Sequence, residues 1–434
     1  MFTKFKRIYN EYPDTFKVLT LATFIDRLGS FVLFPFFTLY ITAHFGVGMT
    51  EVGILFAIFA GVGILGSSIG GALSDKYGRR LLVIFGLVVS GIGSIFMGIV
   101  DDLYIFYILS GLFGFFGDFG GPARQAMVVD LLPTEKQAEG FGILRVAVNL
   151  SATIGPILGG FLATQSFMFL FIGDAVSSII TAFIVYSVIP ETKPQILDDN
   201  SEQTIMKTFK GYKDVLKDWV FVSFLAVSAI TVLVYMQLNS SLSVFLRDVH
   251  KFPELGFGFL FGMNALMVVL FQFWITRRIS KYAPMKMIAV GTLLYMIGFG
   301  MYGFVSTVYM FFIAMAILTV GEMIAMPLGQ TVAASFASED KRGRYMAVYG
   351  FHWAIPTLFG VYAAGLVMDN IGPRWVWYLA GILCMFAAIG FWLLHGLTKK
   401  RFMEVMESSK VLEAPKLMEA PRVIEPIRED LHEP

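Results

Sequence analysis

Twelve times along this chain an apolar run of about 20 residues returns, which is the length of helix that crosses the hydrocarbon of a bilayer. The runs lie near 16–42, 50–74, 81–100, 103–132, 141–165, 167–189, 219–246, 255–279, 285–305, 308–336, 345–369 and 374–397. They are far longer than the roughly 10-residue alternating strands of a membrane barrel, so helices are expected. The composition agrees: 56% of the residues are apolar and 15% charged, with a mean hydropathy of +0.71. A water-soluble domain carries about 25% charged residues. The fold class expected is therefore an all-α polytopic membrane protein of twelve transmembrane helices. The first run contains Asp26 and Arg27 and has no small-residue cleavage site, so it reads as a span and not as a secretory signal.

Positive charge orients such a chain, because loops rich in Lys and Arg stay in the cytoplasm. With both termini cytoplasmic, Lys76, Arg79, Arg80, Lys136, Lys207, Lys210, Arg277, Arg278, Lys341 and Arg342 all fall on the cytoplasmic side. The loops on the other side hold only Arg247, Lys251 and Arg374 of the 33 basic residues. The expected location is a cell membrane, with the bilayer as surroundings. The near balance of 33 basic and 32 acidic residues gives no reason to expect a nucleic-acid partner. The one cysteine, Cys384, lies in an apolar run and excludes an intrachain disulfide and a thiolate metal cluster. No metal and no cofactor is expected, and a monomer is.

The chain divides into two pseudo-symmetric six-helix bundles, 1–189 and 219–397, joined by a linker at 190–218 and followed by a polar tail from 398 to 434. Ser74-Asp75-Lys76-Tyr77-Gly78 after the second run returns as Ile279-Ser280-Lys281-Tyr282-Ala283 after the eighth. Pro122 and Gln125 likewise return as Pro327 and Gln330 at the same offset. Two such halves place a substrate between them near the midplane. In the linker, Ile205, Phe209, Tyr212, Leu216 and Trp219 stand at helical spacing among lysines, as in an amphipathic helix at an anionic membrane surface. The tail, dense in Pro and charge, is expected to lack a packed structure.

Gly71-Ala72-Leu73-Ser74-Asp75-Lys76-Tyr77-Gly78-Arg79-Arg80 lies between the second and third spans. Gly71 allows close helix approach, Gly78 a tight turn, and Asp75 a pairing with Arg79 or Arg80 or a helix end. The segment resembles the signature loop of the major facilitator superfamily at every fixed position, and the resemblance covers nearly all of the chain except the tail. It implies the major facilitator fold and a loop of Gly71, Asp75, Lys76, Gly78, Arg79 and Arg80 that latches the cytoplasmic face in one alternating conformation. Gly155-Pro156-Ile157-Leu158-Gly159-Gly160 in span five resembles the motif typical of the family's antiporters. By itself, a Pro with flanking glycines reads as a kinked, closely packed helix.

Ionisable residues at depth are costly and so are functional candidates. Asp130, Arg124 and Arg145 fall toward the cytoplasmic ends of their spans, where structural ion pairs are expected, and Asp174 reads as a hydrogen-bonded structural acid. Asp118 and Glu322 fall near mid-span at nearly equivalent places in the two halves. A carboxyl there takes a proton on one side and releases it on the other. Gly321-Glu322-Met323 also resembles the span-ten element of LmrP-like multidrug/proton antiporters, which implies Glu322 as the principal proton carrier. Asp118 is the second candidate and Asp26 a third. Asp26 and Arg27 point about 100° apart on one helix. Arg27 either binds an anionic substrate or holds a neighbouring acid ionised.

The pattern also departs from these relatives. Ser110 stands where a span-four Arg is common, and Asn239 stands where LmrP-like proteins keep a span-seven acid. Lower proton stoichiometry follows, and a cationic substrate is less secure. The expected cavity lining is Arg27, Tyr235, Gln237, Asn239, Asn264 and His352, a polar-aromatic set suited to an amphipathic ligand. The expectation is a secondary transporter, not an enzyme, that exports drug-like amphipathic small molecules in exchange for protons. A proton-coupled metabolite, sugar or lipid carrier or flippase is the alternative, and a non-transporting sensor a further one. No G-x-x-x-x-G-K-[ST] loop for ATP and no H-E-x-x-H occurs.

Overall fold

The breaks in two helices organise this molecule. In the computed structural model, which describes residues 11–192, 215–337 and 342–418, twelve helices are long and apolar enough to cross a membrane. Spans one to six are Asp14–Phe45, Met49–Tyr77, Arg79–Ile99, Leu103–Leu131, Glu139–Ala163 and Met168–Val188. Spans seven to twelve are Trp219–Asn239, Glu254–Ile279, Pro284–Phe304, Val308–Ser335, Arg344–Asn370 and Pro373–Lys399. Span one is interrupted by a tight turn at Phe34–Phe36, where Pro35 cannot donate to the helical ladder. Span seven ends at Asn239, and the chain restarts as the helix Ser241–His250. It therefore stops short of the 246 expected from hydropathy, although no proline marks the break.

These two breaks are equivalent in the halves, and the segments beyond them touch. Thr38 and Ser243, 205 residues apart, share a hydroxyl–hydroxyl hydrogen bond of 2.9 Å. Arg247 donates to the Thr42 hydroxyl at 3.0 Å, again across 205 residues. Equivalent residues in contact place the pseudo-twofold axis between them, at the end of the bundle away from the termini. The repeat visible in sequence is thus a repeat in space.

The apolar core of the described residues has a part shared by the halves and, at the end bearing the termini, a separate part in each. Phe36, Leu39 and Tyr40 of the first half pack in a single cluster with Leu238, Phe245 and Phe257 of the second. At the end bearing the termini, the first half closes on Phe16, Phe119 and Met127. The second half closes there on Phe221, Phe224 and Phe336, in a cluster of its own. The halves are therefore sealed together at one end and apart at the other. The outer faces carry Phe273, Tyr104 and Phe304 with most of their surfaces uncovered. Such continuous apolar exposure fits lipid and not water. The protein is a multi-pass membrane protein.

Span four is also broken. It stops at Gly117 and restarts at Gly120, leaving Asp118 in the gap. Pro122 has no N–H for the Asp118 carbonyl, which instead accepts from Gly121 at 3.2 Å. Its counterpart, span ten, stays continuous through Pro327. The last helix runs on from Pro373 to Met418, well past Thr398, where a structureless tail was expected. Lys, Arg, Met and Glu from 399 to 407 are good helix formers, with the first proline only at Pro415. The amphipathic linker helix, apart from its last turn, lies outside the described residues.

Candidate functional site

Span ten brings Glu322 to a cavity of about 230 Å³ in the second half. Close packing of Gly321 against Gly291 of span nine fixes the helix beside it. The Tyr235 hydroxyl of span seven donates to Glu322 Oε1 at 3.1 Å. Asn264 Nδ2 of span eight donates to Oε2 at 2.9 Å and is also 2.9 Å from the Thr319 hydroxyl. The carboxyl is thus held between two donors from two other helices. Trp353 stands edge-on to Tyr235, with centroids 5.9 Å apart. His352 stacks on Tyr349 at 3.8 Å, and its Nδ1 donates to the Tyr349 carbonyl, which fixes the ring.

Of the expected cavity residues, Tyr235 and His352 line the Glu322 cavity and Asn264 is bonded to Glu322 itself. Gln237 and Asn239 are not. Gln237 is buried at the end of span seven, donating to the carbonyls of Leu233 at 2.9 Å and Gly360 at 3.2 Å. Its Oε1 accepts from Ser241 at 2.7 Å, so the whole side chain ties the broken helix end to span eleven. Asn239 is the last residue before the break and is absent from the cavity wall.

The first half carries a charge network. Asp26 is paired with Arg124 of span four at 2.6 Å, so it is committed to an ion pair. Arg27, one residue on, is exposed while Asp26 is buried, as the 100° rotation requires. Arg27 lies in the field of Asp26, Asp118, Asp174 and Arg124. Asp118, in the gap of span four, is exposed, with its carboxylate against Gly63 of span two. Asp174 is buried and accepts a hydrogen bond from Ser94. Among the described residues Arg145 does not make the ion pair expected of it. It lines the Glu322 cavity and is exposed there, the one wall residue contributed by the first half.

The loop after span two is built within the first half. Gly78 has φ +113°, which an L side chain resists. Arg79 is paired with Asp130 and donates to the Ala126 carbonyl at 3.2 Å. Asp75 is 3.9 Å from Arg79 and largely exposed, and Lys76 is exposed beside Tyr77. Arg80 donates to the Tyr186 carbonyl. Glu191, which sequence patterning did not single out, accepts from the backbone N–H groups of Arg79 at 2.7 Å and Arg80 at 3.3 Å. Gly71 is less crowded than expected: a Cβ there meets Pro122 only at ordinary contact distance, 3.6 Å.

Gly155, Pro156, Gly159 and Gly160 form a packing surface. Gly155 faces Phe31 and Gly159 faces Phe36, both of span one. A Cβ on Gly160 would lie 3.0 Å from the Glu254 carbonyl and 3.0 Å from the Leu255 Cα. Pro156 presents its carbonyl to Gly258 of span eight. The motif is thus the seam along which span five meets span eight across the two halves.

A family model described as Major Facilitator Superfamily matches residues 19–304 and 253–416. A Na(+), Li(+), K(+)/H(+) antiporter of Planococcus maritimus is 23% identical over 90% of this chain and 98% of that one. Multidrug resistance protein MdtH of Salmonella paratyphi B is 25% identical over 89% of this chain and 96% of its own. A crystal structure of nucleoside transporter NupG superposes with a TM-score of 0.76 at 12% identity, covering 88% of this chain and 99% of that one.

Proposed function

The chain belongs to the Major Facilitator Superfamily, and from that premise we propose that it exports amphipathic small molecules in exchange for protons by alternating access. Both termini lie in the cytoplasm in this reading, so the parted end of the bundle faces inward. The observation that carries it is the Glu322 carboxyl, held by Tyr235 and Asn264 in the wall of an aromatic cavity of the second half that Arg145 of the first also lines. Both neighbours donate to it, so each carboxyl oxygen has a partner when no ligand is present. A proton or a substrate donor group then competes for one site, which is the condition for exchange. The membrane potential contributes about 2.3 kcal/mol per charge per 100 mV, so a single proton drives useful accumulation. The aromatic wall of Tyr349, Trp353 and Phe391 suits a flat apolar body. The names of the Planococcus and Salmonella relatives support antiport and multidrug export respectively.

The test is purified protein in liposomes with an imposed pH gradient. Gradient-driven uptake or release of fluorescent amphiphiles, with proton counterflow reported by an entrapped pH dye, is expected. Glu322→Gln abolishes both if the reading is right, and intact counterflow in that variant refutes it. The Planococcus relative favours a second reading, exchange of alkali cations for protons. Counterflow that requires added Na⁺, Li⁺ or K⁺ and no amphiphile identifies it.

A further inference from the structure

Arg145 and Glu322 come from opposite halves, line one cavity and form no ion pair with each other. Among the described residues Arg145 has no hydrogen-bonding or ion-pair partner, whereas Asp26 occupies Arg124 and Asp130 occupies Arg79. A guanidinium facing a cavity with nothing bound to its fork is a site for a planar anion such as a carboxylate. Glu322, already served by two donors, accepts a hydrogen bond from a ligand that brings a further one. The same cavity is lined by the rings of Tyr349, His352 and Trp353.

We infer that the substrate class is zwitterionic or amphoteric: one anionic group for Arg145, one donor or ammonium group for Glu322, on an aromatic or apolar frame. The inference rests on the export reading above and sharpens it. A purely cationic amphiphile leaves Arg145 unmatched in the same cavity as its own charge. A purely anionic one leaves Glu322 without a donor from the ligand and faces its charge. A ligand with both groups satisfies both and ties the first half to the second. That bridging contact is one an isolated half cannot make, and it differs between the conformations in which the halves part at one end or the other.

A matched set of probes isolates each charge. Nε-dansyl-lysine carries both groups, dansylcadaverine is the same molecule without the carboxylate, and 6-(dansylamino)hexanoic acid is the same molecule without the amine. Binding to the purified full chain in nanodiscs is read from dansyl fluorescence. Nε-dansyl-lysine is expected to bind about tenfold or more tighter than either analogue, the scale of one charge-assisted hydrogen bond. Arg145→Gln erases its advantage over dansylcadaverine, and Glu322→Gln its advantage over the hexanoic acid. Continued binding of dansylcadaverine by Arg145→Gln shows that the variant is folded, and Arg145→Lys restores part of the preference. Equal or tighter binding of dansylcadaverine by the unmodified protein overturns the inference. So does a preference that survives Arg145→Gln, or failure of all three probes to bind. The preference with no response to a pH gradient in liposomes upholds the inference and overturns the antiport reading.

Discussion

The sealed end of the bundle is held by a carboxylate that caps a helix of the other half, and removing it has a calculable effect. Asp369, near the end of span eleven, accepts from the backbone N–H groups of Met49 at 3.1 Å and Thr50 at 2.7 Å and from the Thr50 hydroxyl at 2.6 Å. Met49 and Thr50 open span two, so Asp369 serves as its cap from across the interface. Replacing a helix cap with Ala costs about 1 kcal/mol, and the added hydroxyl bond contributes about 1 kcal/mol more. Asp369 is exposed, so its long-range Coulomb attraction is screened and adds little. Asp369→Ala therefore removes about 2 kcal/mol from this conformation alone, because the contact vanishes when that end opens. The ratio of sealed to opened molecules falls by about thirtyfold. Spin labels on cysteines replacing Gln165 and Ser306, in a Cys384→Ser background, report the separation of the halves at that end by pulsed electron resonance. The expected result is growth of a longer distance at the expense of the shorter. An unchanged distance distribution refutes the assignment of Asp369 as a clamp.

Three further outcomes follow from the packing. Gly160→Leu forces a side chain against the Glu254 carbonyl and Leu255 of span eight. It destabilises the sealed end by about 1–3 kcal/mol, shifts the same label pair toward the longer distance, and slows transport. Arg124→Gln leaves Asp26 as a buried unpaired charge and costs about 3 kcal/mol, visible as a lower midpoint of thermal unfolding in detergent. Asp26→Asn added to it recovers most of that loss, and no recovery argues against the pair. Gly78→Ala places a Cβ on a residue with φ +113° and crowds the Glu191 carboxylate. A loss of about 1–2 kcal/mol is expected in the same unfolding assay, with Gly71→Ala close to neutral.

The features legible from the sequence were those that depend on spacing along the chain. Span count, the repeat and the tight turn at Gly78 need only periodicity and residue type, and each has its counterpart in the structure. Glu322, Tyr235 and Asn264 each stood out as polar residues in apolar spans, but that they meet was not read from the sequence. What escaped depended on azimuth or on a partner far away. Depth along span five said that Arg145 lies toward one end; only the helix's rotation says that it faces Glu322. Asp26 looked free until Arg124 arrived from 98 residues away. Span seven breaks at Ser240, where its counterpart in span one has Pro35, so the first half announces its break and the second does not. Gln237, buried among Leu233, Gly360 and Ser241, looked like a cavity residue for that reason.

The two halves, alike in backbone, have divided their charges unequally, and that inequality bears on how the molecule works. In the first half Asp26 and Arg124 neutralise each other and Asp174 is buried against Ser94, so most of its ionic groups are fixed in place. In the second half Glu322 lines the cavity held by neutral donors, Tyr235 and Asn264, with no cation paired to it among the described residues. A charge paired within its own half moves with that half and is indifferent to which end is open. A carboxyl held only by hydrogen bonds to neutral donors is not locked to a cation of its own half. Arg145 lines the same cavity from the other half, so its distance from Glu322 is set by the relative position of the halves. In the proposed function, a ligand that bridges Arg145 and Glu322 would couple the proton site to the conformational change. A substitution anywhere in the fixed network of the first half should alter stability before it alters exchange, whereas Arg145→Gln should alter exchange in a protein of unchanged unfolding midpoint.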